Sequence, residues 1–545
     1  MSPKNECPFV SECVVSGGIG WLGRPLRGAV CQGVHELGCL DFSEYDKLKD
    51  LVNKTNACAL PGVHVKFNEF MCVLHRATMA GYVREDRAAF VCDGLTNGFT
   101  GGIDASLLEG QKFTSNYKSA VLHRDAVTQS VMSRVREGKT IVLGPYTRPN
   151  IRDLKSRFKK LRKFAMSAIE KNVLYSPGEF RPCSDHTESG TNFATCMDGL
   201  NHSLNAYKEV SYFLKSGYVM AVTDVEGAFP LLPIAPHLWC FFLCSCYARK
   251  NDTVESLMMH VNGDFGTSGW PGTFKIFFVD VVVQMARFLG VITVPAVIYV
   301  DDVGIIARLC AEADGEMSRL QMWCSDGPPG IPFKVVKDRK ASNNQLMIGF
   351  HWNSVTRTRT LEERKFKTYV DMCLTYAGAR SLSLQEAQSA GGRLHRACMT
   401  LPPGASCFIA NLYSFTHGLK FAYQRRRTTY ALREDFSSIA SLMMLNLGKG
   451  YFSYDQFSEA PGCVSDASKS RNYTGGGWVR ADGAYKFYKY GTSAARKNIH
   501  VLEGDTLVDC VQVSGHAWNR CMVPFGIDNM FFFGPPARAG RMRWT

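Results

Sequence analysis

Three aspartates stand where apolar strands end or turn, and that placement calls for a cation. Asp301 and Asp302 are adjacent within Val297-Ile298-Tyr299-Val300-Asp301-Asp302-Val303-Gly304-Ile305-Ile306-Ala307, two β-rich runs that read as a hairpin with the acids at its tip. Neighbouring carboxylates repel, so they are stable only beside cations, water or a basic group. An isolated pair would be an ordinary turn. Upstream, however, Tyr218-Val219-Met220-Ala221-Val222-Thr223 forms another apolar strand that ends in Asp224. Between the two lies the glycine-rich stretch Gly263-Asp264-Phe265-Gly266-Thr267-Ser268-Gly269-Trp270-Pro271, which leads into an apolar helix from Phe274 to Leu289. Pro271 suits the first turn of that helix. Strand–Asp, glycine loop–helix and strand–Asp-Asp–strand make a metal-dependent nucleotidyl-transfer site. Asp224, Asp301 and Asp302 would hold two divalent ions roughly 3.5–4 Å apart, one activating a 3′-hydroxyl and the other steadying a triphosphate. Hard oxygen ligands point to Mg²⁺, two per site, with Mn²⁺ as a substitute.

The elements that must position these acids come from a chain long enough for two to four domains, at 545 residues. Apolar residues at 46% and charged residues at 21% place it among globular proteins rather than disordered ones. No apolar run approaches the roughly 20 residues that span a bilayer, and the first residues lack a secretory layout. The expectation is an intracellular protein of the cytoplasm or nucleus, without a membrane partner. The 20 cysteines show no paired CxxC spacing, so they read as free thiols rather than zinc ligands or disulfides. A formal net charge of +14 suits a polyanionic partner. The basic run from Lys155 to Lys171, with Arg425-Arg426-Arg427 and Arg538, Arg541 and Arg543, favours phosphate contacts. Arg124 to Gly138 has the period of an amphipathic helix, closed by Gly144-Pro145. Residues 154–172 are also helical in period, with Leu154, Phe158, Leu161 and Phe164 on one stripe. Ser383-Leu384-Gln385-Glu386 has the form of a capping box.

At the acids the sequence resembles the reverse transcriptase family. Tyr299-Val300-Asp301-Asp302 is similar to its YxDD box and Asp224 to Phe229 to its D-x-x-x-A-F/Y box. Phe265-Gly266 through Pro271 is similar to the loop contacting template and nucleotide, and Met347-Ile348-Gly349-Phe350-His351-Trp352 to the primer-grip hairpin. The resemblance implies an α+β right-hand polymerase with fingers, a palm built on an antiparallel sheet, and a thumb. It makes Asp224, Asp301 and Asp302 catalytic and metal-binding, and it puts Val225, Phe229 and Gly266 against the nucleotide. Phe229 would fill the space of a ribose 2′-hydroxyl, which implies DNA synthesis. Arg181, in Glu179-Phe180-Arg181-Pro182-Cys183-Ser184-Asp185, would grip the triphosphate, and Lys337 or Lys340 would supply a further basic group. The implied partners are RNA and DNA template-primers and deoxynucleoside triphosphates. Glu226-Gly227 and the bulky Gly269-Trp270 depart from the family pattern, and a Trp there would narrow the template path.

A second site follows the same logic. Cys463-Val464-Ser465-Asp466-Ala467-Ser468, Asn498 to Glu503, and Val523 to Asn529 resemble the first strand, first helix and fourth strand of ribonuclease H, so Asp466, Glu503 and Asp528 would be its catalytic metal ligands. The α/β ribonuclease H-like domain would be C-terminally incomplete at Thr545, and Gly504-Asp505 departs from its helix pattern. Ser389 to Cys398, Leu401-Pro402-Pro403-Gly404 and Leu412-Tyr413 resemble the linker of DIRS-type retrotransposons, which carry a tyrosine recombinase. The expected domains are an unassigned region 1–110, a basic helical extension 111–175, fingers and palm 176–352, a mainly helical thumb or connection 353–458, and the ribonuclease H-like part 459–545. An RNA-making polymerase is the alternative that Phe229 opposes, and a decayed or host-adopted nucleic-acid-binding relic is the alternative outside enzymes.

Overall fold

The computed structural model describes residues 65–170, 179–200, 206–249, 252–401, 405–452, 458–459, 462–470, 473–491, 497–518, 521–523 and 525–526. The chain forms two compact units of mixed α/β structure. Among the described residues, one holds those from Val65 to Phe213 together with Val219–Ser342, and the other holds Leu214–Tyr218 and those from Asn343 onward. Among the described residues no helix is long and apolar enough to cross a membrane, and the described cysteines are all free thiols.

The first unit begins with helices α1 (Phe67–Met79) and α2 (Glu85–Asn97). Its strands are β1 (Gln111–Phe113), β2 (Thr140–Pro145), β3 (Leu161–Lys163), β4 (Ala165–Glu170), β5 (Phe180–Asp185), β6 (Val219–Asp224), β7 (Leu243–Cys246), β8 (Ser256–His260), β9 (Ala296–Tyr299), β10 (Asp302–Ala307) and β11 (Arg339–Ser342). They pair as a five-stranded sheet in the order β1-β3-β7-β8-β2, a four-stranded sheet in the order β11-β6-β10-β9, and the separate hairpin β4-β5. Every residue of β6 is buried, because its sheet is covered. Helix α6 (Cys310–Asp326) packs across β6 and β10, after α3 (Arg124–Arg136), α4 (Arg148–Arg157) and α5 (Ala206–Phe213) earlier in the chain. The apolar stretch after the glycine loop is helical from Trp270 to Phe288, with a π-helical segment at Lys275–Val282 where Lys275 and Asp280 form an ion pair of 2.8 Å. Phe274, Phe277 and Phe278 of this helix enter one core with Phe70, Leu74 and Phe99.

Helices α1 and α2, within the region left unassigned up to residue 110, share a core with β6 and β10. One expectation about this unit is corrected. The helix over 154–172 ends at Arg157, and β3 and β4 follow. Tertiary pairing overrides the helical period: Leu161 and Phe164 are fully buried, with β3 paired to β1 and β7. Two cations of the basic run are structural as a result. Arg162 caps the carbonyls of Glu109 and Gly110, and the buried Lys163 ammonium donates to the Thr114 carbonyl at 2.7 Å. The segment closed by Gly144-Pro145 is itself β2, and α3 appears where the amphipathic period predicts a helix.

In the second unit, β12 (Asn344–Met347) and β13 (Phe350–Asn353) form a hairpin continued by β14 (Thr358–Leu361) and closed by β17 (Lys449–Tyr451), with β15 (Ser381–Ser383) and β16 (Arg425–Arg427) paired between. Helix α7 (Glu363–Gly378) packs on α9 (Tyr430–Asn446), and α8 (Leu384–Ala397) starts at the expected capping box of Ser383 and Glu386. Farther on are β18 (Ser458–Glu459), β19 (Cys463–Lys469), β20 (Thr474–Arg480), β21 (Tyr485–Lys489), β22 (Cys521–Met522) and β23 (Phe525–Gly526). Strands β21-β20-β19-β23 form one sheet with β19 parallel to β23, and α10 (Ile499–Ser514) packs on β19 and β20.

Candidate active site

The three upstream acids meet at one end of the β11-β6-β10-β9 sheet. β6 and β10 run antiparallel with Asp224 directly opposite Asp302, the last residue of one strand facing the first of the other. β9 and β10 are joined by the two residues Val300 and Asp301, with Tyr299 opposite Asp302. Val300 has φ of 57°, the left-handed region, which a β-branched residue adopts at a cost of about 1–3 kcal/mol. That turn is anchored from the next strand, since the Val225 N–H donates to the Asp301 carbonyl at 2.8 Å.

The charge of the site is only partly compensated. Lys337 Nζ donates to Asp224 Oδ2 at 2.6 Å, and Lys334 Nζ lies 3.7 Å from Asp224 Oδ1. Asp224 Oδ1 is buried and accepts no hydrogen bond. Burial, then the Asp224 carboxylate, holds Asp301 above the usual carboxylate range. Asp302 is pushed up to about 6, by burial first and then by Asp301 and Asp224, against Lys337 and Arg339. A divalent cation would relieve all three at once, and an oxygen-only donor set matches Mg²⁺. Among the described residues, however, no three His, Cys, Asp or Glu side chains already stand as a ligand set. The carboxylate oxygens are donors of the kind Mg²⁺ takes, but one of them, Asp224 Oδ2, is held by Lys337.

The glycine loop packs on the segment that follows Asp224, through Phe229 and the Leu232 carbonyl. Phe229 is buried, and its ring centroid is 4.8 Å from that of the half-exposed Phe265 and 6.2 Å from that of Phe274. Gly266, at φ of +111°, runs so close to β5 that a Cβ would sit 2.0 Å from the Ser184 carbonyl oxygen. Its own carbonyl accepts from Asn192 Nδ2 at 2.9 Å. Trp270 is fully buried in the core, which corrects the expectation that its bulk would narrow a path along the loop. Arg181 is exposed on β5, opposite Ile169 of β4. Of the two lysines left open by the sequence, Lys337 touches Asp224, while Lys340 is exposed on β11. Lys334 was missed by sequence reading, and Phe265 was named only as the first residue of the loop contacting template and nucleotide. The spacing of Lys334 and Lys337, one turn apart, was the available signal for the first.

Of the downstream acids, Asp466 and Glu503 are described. Cys463, Ser465 and Ala467 of β19 face inward, and Ala467 packs with Leu502 of α10. Strand alternation therefore puts the exposed Asp466 on the other side. Glu503 is buried on α10, and its Oε2 has no hydrogen-bond partner. Gly504 and Asp505 continue the helix, with Asp505 paired to Lys497 at 2.7 Å. Asp528 lies outside the described residues.

No family model and no curated protein matches the sequence. Among solved structures the chain is similar to a foamy viral protease-reverse transcriptase dRH in complex with double-stranded DNA, at 14% identity and a TM-score of 0.47, over 93% of this chain and 77% of that one. It is similar to the foamy viral protease-reverse transcriptase with an RNA/DNA hybrid, at 12% identity and a TM-score of 0.45, over 91% and 59%. The same protein with double-stranded DNA gives 13% identity and a TM-score of 0.45, over 92% and 93%. At such identities the chemistry has to be read from the side chains.

Proposed function

We propose that the chain is an RNA-directed DNA polymerase of a retrotransposon, with Asp224, Asp301 and Asp302 as its catalytic carboxylates. The observation that carries this reading is the register of Asp224 against Asp302, with Asp301 at a strained two-residue turn beside them. On this reading the β11-β6-β10-β9 sheet is the palm, the five-stranded sheet and the β4-β5 hairpin are the fingers, and α7 to α9 belong to the thumb. Two bound Mg²⁺ ions would supply Lewis acidity to the 3′-hydroxyl and the leaving pyrophosphate. The protein's own groups do the rest. Asp224 and the Asp301-Asp302 pair hold charge where cations are needed, and Lys337 gives up Asp224 Oδ2 and becomes available to phosphate oxygens. Val225, Phe229 and Gly266 line the nucleotide, with the Phe229 ring standing against a 2′-hydroxyl, and Arg181 reaches the triphosphate from the hairpin. The linker resemblance assigns the chain to the DIRS-type branch. The 459–545 region is read as ribonuclease H-like, with Asp466, Glu503 and Asp528 as its acids.

A relic that binds nucleic acid without copying it is the second reading. It is favoured by the lysine on Asp224 and by the placement of Asp466 away from the face that packs on α10. Primer extension on RNA and DNA templates with Mg²⁺ and deoxynucleotides separates the two. Extension that disappears in Asp301→Asn supports the polymerase. Salt-sensitive duplex binding by folded protein, without extension, supports the relic.

A further inference from the structure

A second carboxylate of the same unit is buried, and the candidate chemistry does not use it. Asp264 is the second residue of the glycine loop, and its side chain is 6% exposed. Its Oδ2 lies 3.2 Å from His186 Nε2 and 3.8 Å from His260 Nε2, and its Oδ1 is 3.5 Å from Arg134 Nη1. Arg134 also donates to the loop itself, through Nη2 to the carbonyls of Asn262 at 3.1 Å and Gly263 at 3.2 Å. His260 Nδ1 is 2.6 Å from Thr140 Oγ1, so β8, α3 and the residue after β5 reach the one carboxylate, and β2 holds His260. The Phe164 and Phe242 rings wall the cluster from water, at 4.4 and 5.2 Å from the His186 ring. Apolar side chains would fill this volume with no desolvation penalty, but they would leave the loop free to slide. Directional bonds to a buried charge fix register.

What they fix is the next residue. Phe265 follows Asp264 directly and carries the ring that stands 4.8 Å from Phe229. We infer that the Asp264–Arg134–His186–His260 cluster is a positioning device that holds Phe265 against Phe229 and thereby sets the discrimination between deoxyribo- and ribonucleoside triphosphates. The inference rests on the polymerase reading above. Asp264 does not touch the nucleotide. It acts through the loop, so its loss should be felt in nucleotide binding and sugar choice more than in turnover.

The test is single-nucleotide extension by the full chain with deoxy- and ribonucleotides, comparing wild type, Asp264→Ala, Asp264→Asn and His186→Gln, each checked for folding by circular dichroism. Asp264→Ala should raise KM for the deoxynucleotide and lower the deoxy-to-ribo preference, each about 10- to 100-fold, with kcat for the deoxynucleotide within about threefold. Asp264→Asn keeps the shape and part of the bonding, and should recover most of the preference. If Asp264→Ala does not fold, Asp264→Asn and His186→Gln decide, each with a smaller loss of preference at near-normal kcat. Unchanged discrimination in the folded variants, or a fall in kcat alone, overturns the inference while leaving the polymerase intact. No extension by wild type overturns the polymerase reading, and this inference with it.

Discussion

The two buried acidic centres of the first unit are built to opposite electrostatic designs. At the first centre three carboxylates crowd together: burial and the neighbouring carboxylates raise Asp301 and push Asp302 up to about 6, and one Asp224 oxygen is left without a hydrogen bond. At Asp264 one carboxylate is met by an arginine and two imidazoles. Burial would raise it, but the hydrogen bond with His186 and the Arg134 guanidinium outweigh burial and hold it well below the usual range. Excess negative charge is unstable until a cation arrives, whereas a neutralised carboxylate is complete without one. On the polymerase reading proposed above, the first centre is arranged to bind a cation and the second to hold the loop. That contrast separates function from structure more sharply than the presence of buried acids does.

The largest effect should follow from removing a ligand at the first centre. Asp301→Asn is expected to lower primer extension by about 10³-fold or more, several kcal/mol of lost charge stabilisation, with the fold intact. Steady-state extension together with a thermal melt checks both parts. If activity persists, the first centre is not the binding one. The converse change at the second centre should cost stability. Arg134→Leu leaves Asp264 buried without its cation and should destabilise the first unit by about 3–5 kcal/mol, as measured by urea unfolding. A loss below about 1 kcal/mol would mean that Asp264 is not held by charge.

How legible each centre was in the sequence follows from the same difference. Asp301-Asp302 and Asp224 stand at the ends of apolar strands, where local pattern alone marks them, and their register across β6 and β10 follows from the pairing. Phe229, Gly266 and Lys337 were reachable only through the family resemblance. Asp264 was quoted within the glycine loop yet could not be recognised as buried. Its partners Arg134, His186 and His260 come from three distant segments, and nothing periodic links them. The helix expected over 154–172 failed for a related reason. Leu161 and Phe164 are spaced as on a helical stripe, but their burial is decided by strands at 111–113 and 243–246. Trp270 looked like an obstacle in the loop because its place in the core depends on α1, α2 and the long helix together.

Acid should weaken the second centre before it weakens the first. Burial, and then Arg134, pushes His260 down to about 3, whereas the unfolded chain protonates it near 6.5. As pH falls through 6.5 the unfolded state gains a proton that the folded state refuses. Stability therefore falls by up to about 1.4 kcal/mol per pH unit from this group. Asp264, being depressed, adds a further loss only below its ordinary value of 3.8. Urea unfolding at pH 7 and pH 5 should show a slope that His260→Gln reduces. An identical slope in the variant would show that His260 is already protonated in the fold.

The smallest effect is a gain. Asp302 is raised in the fold, so its ionised form opposes folding at neutral pH, and the opposition lessens as pH falls through about 6 and is gone below the ordinary 3.8. Asp302→Asn should then stabilise the metal-free protein by about 1 kcal/mol, discounted for partial solvent screening. Added Mg²⁺ should raise the wild-type melting temperature more than that of the variant, because only the wild type has the full repulsion for the ion to relieve. The sign is what matters. A variant less stable than wild type in metal-free buffer would mean that Lys337 and Arg339 already neutralise the first centre, and the contrast between the two centres would vanish.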